Sequence, residues 1–215
     1  MSVGVAMRTA LRDFYEQSWR LVVLNSLLSI AVLGVLVLAT YALSALVLAV
    51  LLGPLAAALM HCAVSVVRTQ ELSLRDALEG LRLHWRRGLA LAALGVLVLI
   101  AGAVAIRAYA GSGSLGWPLA FLTAYVLALF AVFQVQLWPI AIAEREQPLR
   151  EVLRKAVFAL ARRPLASLAL AFLLLLVNLL GLAAAVLPLL TLTVAYSFLA
   201  AARFTLPGPV TEAAS

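Results

Sequence analysis

Between Leu21 and Val67 the chain carries no Asp, Glu, Lys or Arg. A straight helix over that range would extend about 70 Å at 1.5 Å per residue, more than twice the hydrocarbon core of about 30 Å. The run must therefore fold back on itself. The pattern predicts spans over about 19–39 and 43–67, turning near Thr40-Tyr41, with a proline kink at Gly53-Pro54 inside the second. Residues 88–109 read as a third span, closed by Arg107 and Tyr109. The small residues of Ala110–Gly116 read as a turn. Trp117-Pro118 opens a fourth span, 117–143, with proline where its missing N–H costs least. Leu165–Ala202 is again uncharged and predicts two spans, 165–186 and 188–205, turning near Leu187-Pro188; residues 207–215 read as a disordered tail.

Two polar interruptions have a helical period of their own. Ser73-x-x-Asp76 has the form of a capping box. After it, Leu74, Ala77, Leu78, Leu81 and Trp85 share one face at 100° per residue, with Arg75, Glu79, Arg82 and Arg86 beside it. The second interruption repeats the first: Leu149, Val152, Leu153, Ala156 and Leu160 form the stripe, flanked by Arg150 and Arg154. Each copy ends in an Arg pair and a helix-breaking residue, Arg86-Arg87-Gly88 and Arg162-Arg163-Pro164. The expectation is two amphipathic helices, 73–86 and 148–162, lying at one membrane interface or under the bundle, with their Leu stripes toward the bundle. Both units enter and leave in the same sense, which suggests a direct repeat about an axis along the membrane normal.

Composition sharpens the class. The chain is 66% hydrophobic and 12% charged, with a mean hydropathy of +1.12, where soluble domains hold about 25% charge. The fold class expected is an all-α, polytopic transmembrane bundle of about six spans, with the lipid bilayer as its first partner. Residues 1–20 do not read as a cleavable signal, because Arg8, Arg12, Asp13, Glu16 and Arg20 interrupt any apolar core. They read instead as a short segment, helical from about Thr9, whose Phe14, Tyr15 and Trp19 suit the headgroup boundary. Six spans put every Lys and Arg except Arg107 on one side. That bias predicts both termini in the cytoplasm. It also accounts for the net charge of +7 without nucleic acid, which is not expected as a partner.

Candidate chemistry is sparse. No phosphate-binding glycine loop, zinc-protease helix or nucleophile elbow is present, so neither an enzyme nor a cofactor is expected. The single cysteine, Cys62, reads as a small buried hydrophobe. His61 in the second span reads as a structural histidine, lacking a second ligand, and His84 as a solvated or headgroup-facing residue among arginines. Gln134, Gln136 and Asn178 are the notable intramembrane amides, read first as bonds between helices and second as substrate contacts. Arg75, Arg82, Arg86, Arg87, Arg150, Arg154, Arg162 and Arg163 read as the basic residues facing lipid or a partner.

Gly53-Pro54-Leu55-Ala56-Ala57-Ala58-Leu59, then Ser73–Trp85 and Arg86-Arg87, then Pro139 with Leu149–Ala159, together resemble the YesL-like family of bacterial membrane proteins, a domain of unknown function. The likeness covers most of residues 20–205. The chain departs from the family's pattern in having few aromatic residues along its first amphipathic helix and a longer run before Gly-Pro. The resemblance implies a multi-pass protein of the bacterial inner membrane associated with carbohydrate-uptake operons, and carries over no catalytic residue. The function expected is an accessory or scaffold protein, bound to lipid and to a membrane transport complex or a second copy of itself. The alternative is a small-solute transporter or channel, with Gln134, Gln136 and Asn178 lining a path beside the Gly53-Pro54 kink.

Overall fold

The computed structural model describes residues 2–16, 18–41, 43–114, 116–183 and 192–206. Every regular element among them is helical: α1 Val3–Glu16, α2 Ser18–Tyr41, a 3-10 stretch Leu43–Leu52, α3 Gly53–Thr69, α4 Leu74–Ala110, α5 Gly116–Ala143, α6 Leu149–Arg162, α7 Pro164–Ala183 and α8 Val194–Thr205. Four helices are long and apolar enough to cross a membrane, Val47–Thr69, Arg75–Ala110, Gly116–Ala143 and Pro164–Ala183. The bent pair α1 and α2 makes a fifth if taken as one span. The structure thus shows a multi-helix architecture of four to five candidate spans, where the sequence pattern suggested six. The difference lies partly at the C-terminal end. There α8 has 12 residues, about 18 Å of helix, shorter than a bilayer core. The turn expected near Leu187-Pro188 and the tail 207–215 lie outside the described residues.

The core sits around α3. Ala57, Leu59, Met60, Cys62, Val66 and Val67 are buried on several sides of it, as in a helix enclosed by others. The tight 3-10 stretch changes to α-helix at Gly53, and Pro54 falls in the first turn of α3, where no intrahelical donor is lost. That change of helix type is what the structure shows at the position read as a kink. At the other end Gln70, at φ 61, closes α3 and its N–H returns to the Val66 carbonyl.

α3 and α4 run antiparallel with their backbones in contact. A Cβ on Gly88 would stand 2.5 Å from the Gly53 carbonyl oxygen and 2.9 Å from Ala57 Cβ; one on Gly80 would stand 2.8 Å from His61 Cβ. Gly53, Ala57 and His61 on α3 therefore face Gly80, His84, Gly88 and Ala92 on α4, all at intervals of four residues. Small residues at that spacing let two helices approach closely in lipid. Gly88 is thus a packing residue and does not break the helix.

The first amphipathic stretch is consequently no separate helix. The Ser73–Asp76 capping box forms, with Arg75 N donating to Ser73 Oγ at 3.2 Å and Ser73 N to Asp76 Oδ2 at 2.8 Å. From there α4 runs unbroken through Arg86-Arg87-Gly88 for 37 residues, about 55 Å. Its buried face is also not the expected one. Ala77, Gly80, His84, Gly88 and Leu91 are buried, while Leu78 is 62% and Trp85 46% exposed. The buried face is turned about 80° from the Leu stripe, at 100° per residue.

The second copy behaves differently. α6 ends at Arg162, Arg163 leaves helical geometry at φ −142 and ψ 59, and Pro164 begins α7. Proline has no N–H to continue the ladder and clashes with the preceding turn; glycine has neither defect. On α6, Val152 and Ala156 are buried, and Leu149 and Leu153 pack against the cluster they form with Leu91, Leu137 and Ile140, on the face the periodicity indicated.

The N-terminal helix also departs from expectation. It starts at Val3 and buries Ala6, Ala10, Asp13 and Phe14, a face that packs chiefly on α8. Tyr15 alone of the pair Phe14-Tyr15 is exposed.

Candidate functional site

α7 packs sparsely against its neighbours and leaves a groove between α5, α7 and α8. The cavity has a volume of about 660 Å3, within the usual range for small-molecule sites. Its floor includes Met60 of α3 and Ala201 of α8; its walls run from Ala128 to Trp138 on α5 and from Leu168 to Asn178 on α7. Leu168, Phe172 and Leu175 on the rim are exposed, so the groove opens on the flank of the bundle. The lining is apolar except for Gln134, Asn178 and Ser197.

The three amides singled out by sequence have different fates. Gln136 is buried away from the groove: its Nε2 donates to Ser167 Oγ at 3.1 Å, and its Oε1 accepts from Thr205 Oγ1 at 2.8 Å. It ties α5 to α7 and α8. Asn178 is on the groove wall, with its Nδ2 donating to Leu174 O and to Ser197 Oγ, both at 2.7 Å. Gln134 is half-buried on the opposite, α5 wall, and its Oε1 has no partner among the described residues. Two of the three amides therefore share a cavity, and the third holds helices together.

His61 and His84, read separately from sequence, form a pair. His61 Nδ1 and His84 Nε2 are 3.2 Å apart, with ring centroids 5.1 Å apart. His84 is 2% exposed; it lies in the α3–α4 seam and not among solvated arginines, and its Nδ1 lacks a partner among the described residues. Only one proton is needed between the two facing nitrogens. Two imidazoles make half of a typical zinc ligand set, and no cluster of three or more His, Cys, Asp or Glu occurs among the described residues.

Of the basic residues, Arg75, Arg82, Arg86, Arg150, Arg154, Arg162 and Arg163 are exposed, and the Arg86 guanidinium stacks 5.1 Å from the Trp85 ring centroid. Arg87 is different. It is half-buried and donates to the carbonyls of Ala141 at 2.8 Å, Glu144 at 2.9 Å and Gln147. Arg68 reaches the Ala143 carbonyl at 3.3 Å. The pair neutralises the C-terminal end of α5, where carbonyls lack intrahelical donors. Arg87 is thus a helix cap, contrary to its reading as a lipid-facing charge.

Three further polar ties were not found from sequence. Arg203 Nε and Nη2 both stand 2.6 Å from Asp13 Oδ2, in a pair whose side chains are 6% and 5% exposed. Asn25, fully buried on α2, accepts the Ala195 N–H at 2.7 Å and so satisfies a donor in the first turn of α8. Tyr196 Oη donates to the Met7 carbonyl at 3.1 Å. One signal was available: Ala6, Ala10, Asp13 and Phe14 follow helical spacing, so Asp13 occupies an apolar face, and an acid there requires a buried partner.

On α6, Arg154, Lys155, Phe158, Ala159 and Arg162 outline a shallow basic pocket. Lys155 is engaged by Glu144 at 2.6 Å. Arg154 and Arg162 have no carboxylate partner among the described residues. The chain matches no protein-family model, no curated protein and no solved structure.

Proposed function

We propose that this chain is an accessory protein of the bacterial inner membrane, one that acts by holding lipid or a partner and not by catalysis. The observation that carries this reading is the groove: it is almost wholly apolar, opens on the flank of the bundle, and lies beside a helix whose exposed Arg154 and Arg162 have no carboxylate partner among the described residues. Such a surface suits a membrane-embedded partner better than a polar solute in transit. Six crossings with both termini in the cytoplasm belong to the same proposal, on the strength of the charge bias. So does membership of the YesL-like family, with its link to carbohydrate uptake, on the strength of Gly53–Leu59 and the two Arg-terminated repeats. The basic residues adjoin apolar helices and serve lipid, with no nucleic acid in the proposal.

The test is purification of a tagged chain from native membranes in mild detergent after crosslinking, alongside sugar uptake in a deletion strain. A recurrent membrane partner and impaired uptake support the reading. A chain that purifies alone from a strain with unchanged uptake on deletion overturns it.

One observation favours a second reading, a small-solute transporter: Gln134 and Asn178 line the same groove from α5 and α7, and Gln134 Oε1 has no partner among the described residues. Solute flux into proteoliposomes that falls on Asn178→Leu supports it; absence of flux for sugars, amino acids and ions sends the amides back to packing.

A further inference from the structure

We infer that the groove between α5 and α7 holds one acyl chain of an anionic phospholipid, whose headgroup phosphate is gripped by Arg154 and Arg162 of α6. The inference rests on the membrane reading above and adds the ligand. Three observations bear on it.

The first is length. The walls run from Trp138 back to Ala128 and from Leu168 to Asn178, each about 15 Å from end to end at 1.5 Å per residue. Half of a hydrocarbon core of about 30 Å is the same distance. The groove is therefore as long as one leaflet. Asn178 and Ser197, hydrogen-bonded to each other, line its deep end.

The second is position. Leu168 lies four residues past Pro164, where α7 begins, and Arg162 is the last residue of α6. Trp138 lines the groove and packs on the same buried cluster as Ala159, which lines the basic pocket. One side chain thus connects the mouth of the groove to the basic face.

The third is charge. Lys155 is neutralised by Glu144. Arg154 and Arg162 have no carboxylate partner among the described residues; they lie about two helical turns apart, with exposed Phe158 between them. An anionic headgroup complements that face, and a zwitterionic one gains less. An apolar groove alone would take any chain, so the arginines supply the discrimination.

Native mass spectrometry of the full chain, in detergent with added phosphatidylglycerol or phosphatidylcholine of identical chains, tests the assignment. A retained phosphatidylglycerol adduct, preferred over phosphatidylcholine, is expected. Arg154→Gln and Arg162→Gln should each reduce that preference about fivefold; both positions are exposed, so folding is not at issue. Ala131→Phe and Ala171→Phe fill the groove and should remove adducts of both lipids. Equal retention of the two lipids overturns the headgroup assignment, and adducts that survive both groove-filling changes overturn the groove. Stabilisation by inorganic phosphate equal to that by lipid would assign the arginines to a free anion. A dimer that Ala131→Phe dissociates would assign the groove to a second copy. Any of these leaves the accessory reading to stand or fall on its own co-purification result.

Discussion

The Asp13 carboxylate and the Arg203 guanidinium meet at 2.6 Å, buried, from opposite ends of the described chain. The pair clasps α1 to α8. Neither charge could be left alone at that burial, so each residue makes the other necessary. Removing one partner of such a pair costs about 3–5 kcal/mol. Asp13→Asn or Arg203→Met should lower stability by that order in denaturant unfolding in micelles, while the double change should cost clearly less than the sum. Additive losses would show that the two do not interact.

The α3–α4 seam makes a contrasting prediction for glycines. A methyl group at Gly88 meets the Gly53 carbonyl, whereas one at Gly34 meets nothing within 4 Å. Gly88→Ala should cost about 1–3 kcal/mol through overpacking, and Gly34→Ala should be neutral or stabilising by about 0.5–1 kcal/mol. Thermal unfolding of the two variants in one detergent would compare them directly. Equal melting temperatures would rule out the close crossing.

Burial on the two charged stretches separates neighbours. Ala77→Leu should destabilise by about 1–3 kcal/mol, and Val152→Ala by about 2 kcal/mol for two methyl groups lost from the core. Leu78→Ala should change stability by less than about 0.5 kcal/mol, since its side chain is mostly exposed. Were Leu78→Ala the most damaging of the three, the Leu stripe would after all be the packed face of α4.

Two adjacent arginines should also part company. Arg86→Gln removes a cation stacked on an exposed Trp85 and is expected to be mild. Arg87→Gln strips three carbonyls, one in the last turn of α5 and two in the segment just after it, of a charged donor, and bonds of that kind contribute about 1.5–3 kcal/mol each. Hydrogen exchange at the C-terminal turn of α5 should rise in the Arg87 variant and stay unchanged in the Arg86 variant.

Topology can be tested by single cysteines at Ser2, Ser112 and Thr211 in a Cys62→Ser background. An impermeant thiol reagent on intact cells should label Ser112→Cys alone. Labelling of Thr211→Cys would place the C-terminus outside and give an odd number of crossings.

The helical class and the long apolar runs were legible because composition and charge spacing act locally along the chain. Which face of a helix is buried was legible for α6, where Leu149, Val152, Leu153 and Ala156 recur at helical spacing and pack together, with only Val157 and Phe158 exposed among its larger apolar residues. It was not legible for α4. There the buried face is built from Ala77, Gly80, His84 and Gly88, residues that hydropathy ranks below the exposed Leu78 and Leu81. In lipid an exposed Leu costs nothing, so large apolar residues lose their value as markers of the interior. The four-residue recurrence of Gly80, His84, Gly88 and Ala92 was the usable signal, and it also pairs His84 with His61. The difference between Gly88 and Pro164 could be read only as two breakers, because glycine's tolerance of a continuing helix depends on what packs against it. Asn25, Asp13 and Arg203 escaped notice because each partner is far away in sequence.

An unbroken α4 touching α3 backbone to backbone near Gly88 has a mechanical consequence. The contact extends from Gly80 to Ala92, so about 18 Å of α4 is clamped to α3 and about 27 Å continues toward Gly111 as one stiff rod. A load on the charged Ser73 end, from a headgroup or a docked protein, would pass along that rod without being taken up at Gly88. Two separate helices joined at a break would have absorbed the same push in the joint.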